Sequence, residues 1–191
     1  MKRSFLFLAD GFEEIEALTV VDVMRRAGMD IKTVSIKNSE KVTGAHGVVV
    51  TADLTFDDAV FGDAEWLIAP GGMPGSKHLA DYVPLQQLLT RHFENGGKIA
   101  SICAAPALVL SPLGILKDRE ATCYPGMEQL MVDAVRRDAP VIALDTLITA
   151  SGPATALRFA LAIVANSMGE SVAQEIGSAM LLYPKSMNFY V

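Results

Sequence analysis

The chain has little cysteine, little histidine, few aromatics, no excess of basic charge and no long apolar run. Two cysteines in 191 residues make no disulfide framework, and they fit a reducing compartment. Three histidines, wrongly spaced against those cysteines, form no zinc-binding constellation, so neither metal nor other cofactor is expected. Lys and Arg number 16 against 22 Asp and Glu, a net charge of −6. The basic residues are scattered apart from Arg25-Arg26 and Arg136-Arg137, which argues against nucleic acid as a partner. No apolar stretch reaches membrane-spanning length. Met1-Lys2-Arg3 followed by Ser4 to Ala9 mimics a secretion signal. The apolar run is too short for one, and Asp10, Glu13, Glu14 and Glu16 follow at once. The stretch reads as a buried first strand in a cytoplasmic protein.

What is present is an alternation of strand and helix patterns, with 51% hydrophobic residues. A chain of this length suits one domain, residues 1–191, that buries roughly 70% of its unfolded surface without a staple. Strands are expected at 4–9, 31–36, 66–69 and 98–102, with short strands around a glycine turn within 42–51. A β pair around Asp145 covers 140–144 and 146–150. Helices are expected at 13–27, 83–94, after Cys103, at 127–136, at 154–168 and at 170–182. Near-continuous apolar strands alternating with helices imply a mainly parallel sheet covered on both faces.

Cys103 is the most informative residue. The strand Lys98 to Ile102 runs directly into Ala104-Ala105-Pro106, a small-residue helix start. A thiol at such a turn stands at the carboxyl edge of the sheet, where ligands bind in open α/β folds. It also faces the helix's first N–H groups, which favour an anion. The sharp turn needs small residues two before and two after, and Ser101 and Ala105 supply them. The plainer reading is a small core hydrophobe. Cys123, in Thr122-Cys123-Tyr124-Pro125, reads as a buried strand-end residue, with a resolving thiol as the alternative.

Four loops share the edge that carries Cys103: Ala9 to Phe12, Pro70-Gly71-Gly72, the Cys103 turn, and Ser151-Gly152-Pro153. Glu13, Glu14 and Glu16 follow the first loop as acids at a helix start. Glu16 heads the row Val20, Val23, Ala27 and so lies on the apolar face. Burial raises a carboxyl pKa, and a protonated acid beside a thiolate can donate to it and shuttle a proton. Spacing gives Glu16 only a slight edge over its two neighbours. Gly71-Gly72 reads as a tight turn, or as the source of an N–H that binds an oxyanion together with the Ala104 amide. It begins no phosphate loop, because Ser76 rather than glycine precedes Lys77. His46, His78 and His92 all precede Cys103 and read as surface or turn residues. Activation of the thiol then falls to the helix terminus and a carboxyl, which suits attack on reactive aldehydes, or oxidation, better than amide hydrolysis.

The chain resembles the DJ-one/ThiJ/PfpI superfamily, most closely the branch of the Parkinson-disease deglycase protein. The resemblance rests on Leu8 to Glu16, Val21 to Gly28, Ala69 to Gly72, Ser101 to Pro106, and Gly152 to Ala156 running into Phe159 to Val164. It implies a flavodoxin-like three-layer α/β sandwich, related to class I glutamine amidotransferases, and a homodimer. It implies that Cys103 is the nucleophilic, oxidation-prone thiol, that Glu16 is its protonated partner, and that Gly72 and Ala104 supply the anion-binding amides. Asp22 and Arg26 would lie at or near the dimer interface; their spacing also fits an ordinary i,i+4 ion pair. Ala104 replaces the histidine of the protease-like branch. Tyr124 and Ser151 stand where relatives carry a histidine and an arginine.

Three function classes follow. The first is a cofactor-free, glutathione-independent glyoxalase or deglycase acting on small reactive aldehydes such as methylglyoxal, or on glycated groups. The second is a redox-sensing, stress-response or chaperone-like protein with little catalysis. The third is a purely structural domain, in which the Cys103 thiol keeps an ordinary pKa near 8.5. Thiamine-biosynthesis and protease labels used in the family find no support in these residues.

Overall fold

The computed structural model describes residues 2–182. In chain order its elements are β1 (Ser4–Leu8), α1 (Glu14–Arg26), β2 (Ile31–Ser35), β3 (Lys41–Thr43), β4 (Val49–Thr51), β5 (Leu54–Thr55) and β6 (Trp66–Ala69). There follow α2 (Gly75–Asp81), α3 (Val83–Glu94), β7 (Lys98–Ile102), β8 (Glu120–Ala121), β9 (Val135–Arg136), β10 (Val141–Ala143), β11 (Leu147–Ala150), α4 (Ala156–Met168) and α5 (Glu170–Ala179).

Seven strands form one sheet in the order β10-β11-β7-β6-β1-β2-β5. All neighbours are parallel except β10, which pairs antiparallel with β11. β1 is apolar after Ser4 and wholly buried because both its faces are covered. Leu6 and Leu8 join the layer of α1 and α4, while Phe5 and Phe7 join the layer containing Leu79, Leu85 and Leu89 of α2 and α3. Each such side chain contributes roughly 1.5–3 kcal/mol by leaving water. The expected three-layer, flavodoxin-like sandwich is present. No helix among the described residues is long and apolar enough to cross a membrane.

α1 shows how sequence builds a layer. Ala17, Val20, Val23 and Met24 make its buried stripe, Arg25 and Arg26 sit in its last turn beside the negative end of the helix dipole, and Gly28 beyond it turns left-handed. β2 lies on one side of β1 and β6 on the other. The chain therefore reverses its winding between β1 and β6, and this opens a crevice at their carboxyl ends.

The structure departs from expectation at four places. Residues 127–136 form no helix. A 3-10 turn, Glu128–Leu130, leads into β9, which pairs in parallel with β8. Met131 is the only fully buried side chain there, while Leu130, Val132 and Val135 are exposed, so no apolar helical stripe could be buried. Backbone bonds instead fix the segment as a strand, Val135 N–H to Arg119 O at 2.8 Å and Arg137 N–H to Ala121 O at 2.9 Å. The helix after Cys103 is short: a π-turn, Pro106–Leu110, and a 3-10 turn, Ser111–Leu113. Pro112 lacks an N–H and Gly114 is left-handed, so it stops there. Conversely, α2 forms at Gly75–Asp81, where no element is expected from the sequence. The final helix ends at Ala179, three residues short of its expected end.

Candidate active site

β7 delivers Cys103 to the carboxyl edge of the sheet, and there the backbone turns sharply. Cys103 has φ of +65°, a left-handed conformation that is strained for a residue with a side chain. Two bonds hold it. Its N–H donates to Ala150 O at 2.9 Å, and its own carbonyl accepts the Tyr124 N–H at 2.8 Å. These two bonds retain a strain of the kind that clusters at functional turns. Cys103 is only 8% exposed.

Glu16, on the inner face of α1, is completely buried. Its carboxyl lies beside the Cys103 thiol, both packed against Gly71, and each acts on the other's protonation. Oε2 accepts the Gly71 N–H at 2.7 Å, and Oε1 has no protein hydrogen-bond partner of its own. An unsatisfied buried carboxylate oxygen is costly, whereas a protonated one donates toward the sulfur. The backbone amides of Gly72 and Ala104 act on the same sulfur and favour its anion. Gly72 is required at its place. Its φ is +91°, and a Cβ there would lie 2.5 Å from Gly11 O.

The electrostatics differ from the expected acidic thiol. Burial first, then the charge and hydrogen bond of Glu16, push the Cys103 thiol up to about 12, while the Gly72 and Ala104 amides pull it down. Burial likewise raises Glu16 to about 7, with Glu13 adding to the rise. One amide at a short helix start and one from the Gly71-Gly72 loop do not outweigh desolvation plus a neighbouring carboxylate. The pair titrates as a unit, and one proton is left between oxygen and sulfur above about pH 7. With that proton on Glu16, the charge repulsion disappears and the two amides face a thiolate.

The remaining expected residues fall as follows. Glu13 N–H donates to Gly71 O at 3.0 Å, joining the first loop to the second. Glu14 turns away from the thiol. Its carboxylate accepts the His46 N–H and meets His46 Nδ1, both at 2.8 Å, tying the β3–β4 turn to α1. This holds Glu14 low and His46 high. His78 reaches Asp10 O and His92 reaches Lys98 O, so all three histidines are engaged away from the sulfur. Glu13, Glu14 and His46 cluster within 4.8 Å of one another, a grouping the sequence reading missed. Asp22 and Arg26 make the i,i+4 ion pair at 2.8 Å on the exposed side of α1. Cys123 is buried just beyond β8, as expected. Sequence reasoning also missed that Gly71 N–H holds Glu16. The Gly71-Gly72 doublet was the available signal, since a Cβ on Gly71 would lie 2.5 Å from both Glu16 Oε2 and Cys103 Cβ.

Comparison with known proteins follows the same lines. The model of the DJ-1/PfpI family matches residues 2–166. Protein DJ-1 homolog B of Arabidopsis thaliana is 31% identical over 190 residues, covering 99% of this chain and 43% of that protein. The chain thus spans less than half the length of that relative. Glutathione-independent glyoxalase DJR-1.2 of Caenorhabditis elegans is 34% identical over 154 residues, 80% of this chain and 81% of that one. Among solved structures, oxidized DJ-1 of Toxoplasma gondii superposes with a TM-score of 0.91 at 32% identity, covering 97% of this chain and all of that one. The chain belongs to the DJ-1/PfpI family.

Proposed function

We propose that this DJ-1/PfpI protein is a cysteine-dependent, glutathione-independent glyoxalase or deglycase-type enzyme that uses Cys103 as nucleophile and Glu16 as proton carrier. The observation that carries the reading is the buried thiol–carboxyl pair packed against Gly71, with the Gly72 and Ala104 amides favouring the sulfur anion. The relationship to a relative named as a glutathione-independent glyoxalase supports it. The Cys103 thiolate adds to the aldehyde carbon of methylglyoxal, and Glu16 protonates the resulting oxygen to give a hemithioacetal. Glu16, now ionised, takes the hydrogen from that carbon and returns a proton to the neighbouring one, leaving a hydroxy-thioester. Water hydrolyses it to lactate and restores the thiol. Gly72 and Ala104 steady the oxyanion at each addition, a contribution worth on the order of 3 kcal/mol per donor. The test is lactate formation from methylglyoxal without glutathione. Wild type should turn over and Cys103→Ser should not; undiminished turnover by Cys103→Ser refutes the reading.

A second reading uses the same sulfur as a redox sensor. Peroxide converts the thiolate to sulfenate with release of water, and Glu16 with the two amides stabilises the product. The neighbour from Toxoplasma gondii, described in an oxidized form, favours it. On this reading mild peroxide adds oxygen to Cys103 before Cys123. Intact-mass and peptide mass spectrometry decides between them. We further propose a homodimer that buries Ile15 and Leu18 of α1 with Val48 and Val49 of the neighbouring hairpin, all exposed here, beside Asp22 and Arg26.

A further inference from the structure

A cavity of about 390 Å³ with a charged rim of side chains opens beside the nucleophile and takes no part in the chemistry above. The buried Cys123 lines it together with Thr122 and Ser151, and Glu128, Arg136, Arg137 and Asp138 form its charged part. Two backbone links place it next to Cys103. Ser151 follows Ala150, whose carbonyl takes the Cys103 N–H, and Tyr124, which follows Cys123, gives its N–H to the Cys103 carbonyl.

Arg136 lines this cavity from an exposed position on β9, whose backbone is held in place. The β8–β9 register sets it opposite Ala121, and the next residue, Thr122, donates its N–H to the buried Thr149 Oγ1 at 3.0 Å. Its Nε donates to Met131 O at 3.1 Å. Among the described residues its terminal nitrogens make no ion pair. Arg137, by contrast, is neutralised by Glu120. The charges of Glu128 and Arg136 both act on the Cys123 thiol, so both stand against the same wall. Glu128 is held by the Gly126 N–H at 2.8 Å.

With Arg137 paired to Glu120, Arg136 is the cavity's one guanidinium without an ion-pair partner among the described residues, and its two terminal nitrogens form a fork that matches one carboxylate. The nearby carboxylates of Glu128 and Asp138 oppose a second negative charge, which disfavours a phosphate dianion. The lactate expected from the proposed reaction carries one carboxylate, and so does any carbonyl substrate with a single acid group. We propose that this cavity is a monocarboxylate subsite anchored by Arg136, which receives the hydroxy acid released from Cys103 and sets a preference for singly charged substrates. The identity of the acid rests on the glyoxalase reading; its binding requires no turnover.

The test uses full-length Cys103→Ser protein, which binds without reacting. Thermal shift is followed with sodium lactate, with neutral lactamide and with inorganic phosphate at constant ionic strength. Lactate should raise the melting temperature, lactamide should not, and phosphate should act more weakly than lactate. Arg136→Gln in the same background should raise the lactate dissociation constant about tenfold, the scale of one charge-assisted pair. Glu128→Gln should tighten lactate and admit phosphate. Lactate binding unchanged in Arg136→Gln, equal shifts from lactate and lactamide, or no lactate shift at millimolar concentration would each overturn the subsite. Lack of methylglyoxal turnover by wild type would remove the proposed reaction while leaving this titration to decide the subsite.

Discussion

Gly71 N–H holds Glu16 Oε2 at 2.7 Å, and the missing side chain of Gly71 is what lets Cys103 stand beside that carboxyl. One glycine therefore both orients the acid and clears the space for the thiol. Gly71→Ala would place a Cβ 2.5 Å from Glu16 Oε2 and from Cys103 Cβ. Neither neighbour can give way easily, because both are buried and backbone-anchored. The variant should lose about 1–3 kcal/mol in a denaturant titration and most of its methylglyoxal turnover. A fully active, equally stable Gly71→Ala would contradict this packing.

Glu16 weakens the fold at neutral pH in exchange for its place beside the thiol. Its pKa rises from 4.5 to about 7 on folding. Between those values the folded state binds more protons than the unfolded state, so stability falls as pH rises through this window. The full effect is about 3 kcal/mol. Glu16→Gln should therefore be more stable than wild type at pH 8 and nearly equal to it at pH 4.5. Chemical denaturation at the two pH values measures the difference.

Much of this arrangement is legible in the sequence. The apolar runs at Phe5–Leu8 and Trp66–Ala69 read as strands buried on both faces, and Glu16, heading the row Val20, Val23, Ala27, has a slight edge over Glu13 and Glu14 that its complete burial bears out. Cys103 between a strand and small residues announced its turn. Other features depend on contacts distant in sequence. Residues 127–136 carry helix-compatible spacing, yet the backbone bonds to Arg119 and Ala121 make a strand of their end. The direction of the Cys103 pKa was misread because local geometry shows only the amides. Burial and the Glu16 charge, which outweigh them, come from the assembled fold.

The hairpin over the start of α1 should respond to pH from both sides. Folding raises His46, so its contribution is full below its ordinary pKa of 6.5 and is lost as pH rises through the folded value. Folding lowers Glu14, so its contribution is present above its ordinary 4.5 and is lost as pH falls through the folded value. Glu14→Gln should speed hydrogen exchange at the His46 and Val48 amides, both of which donate to the Glu14 carboxylate. Exchange in α4, far from the hairpin, should stay unchanged.

The Asp22–Arg26 pair is half exposed on both sides, so it stabilises a single chain by only a few tenths of a kcal/mol. Arg26→Ala should barely move the unfolding curve of dilute protein. If α1 lies in a dimer interface, Ile15→Asp should shift the sedimentation coefficient from dimer to monomer while leaving the far-ultraviolet circular dichroism intact. An unchanged sedimentation coefficient would exclude this face as the interface.

The sharing of one proton between Cys103 and Glu16 is tested most directly by the pH dependence of Cys103 alkylation with iodoacetamide, read site by site against Cys123. In wild type the Cys103 rate should climb through an inflection near 7, where the pair gives up its first proton, and Glu16→Gln should abolish that inflection. An inflection near 7 that persists in Glu16→Gln, or a wild-type profile that rises only near 8.5 as for an ordinary thiol, would contradict the account.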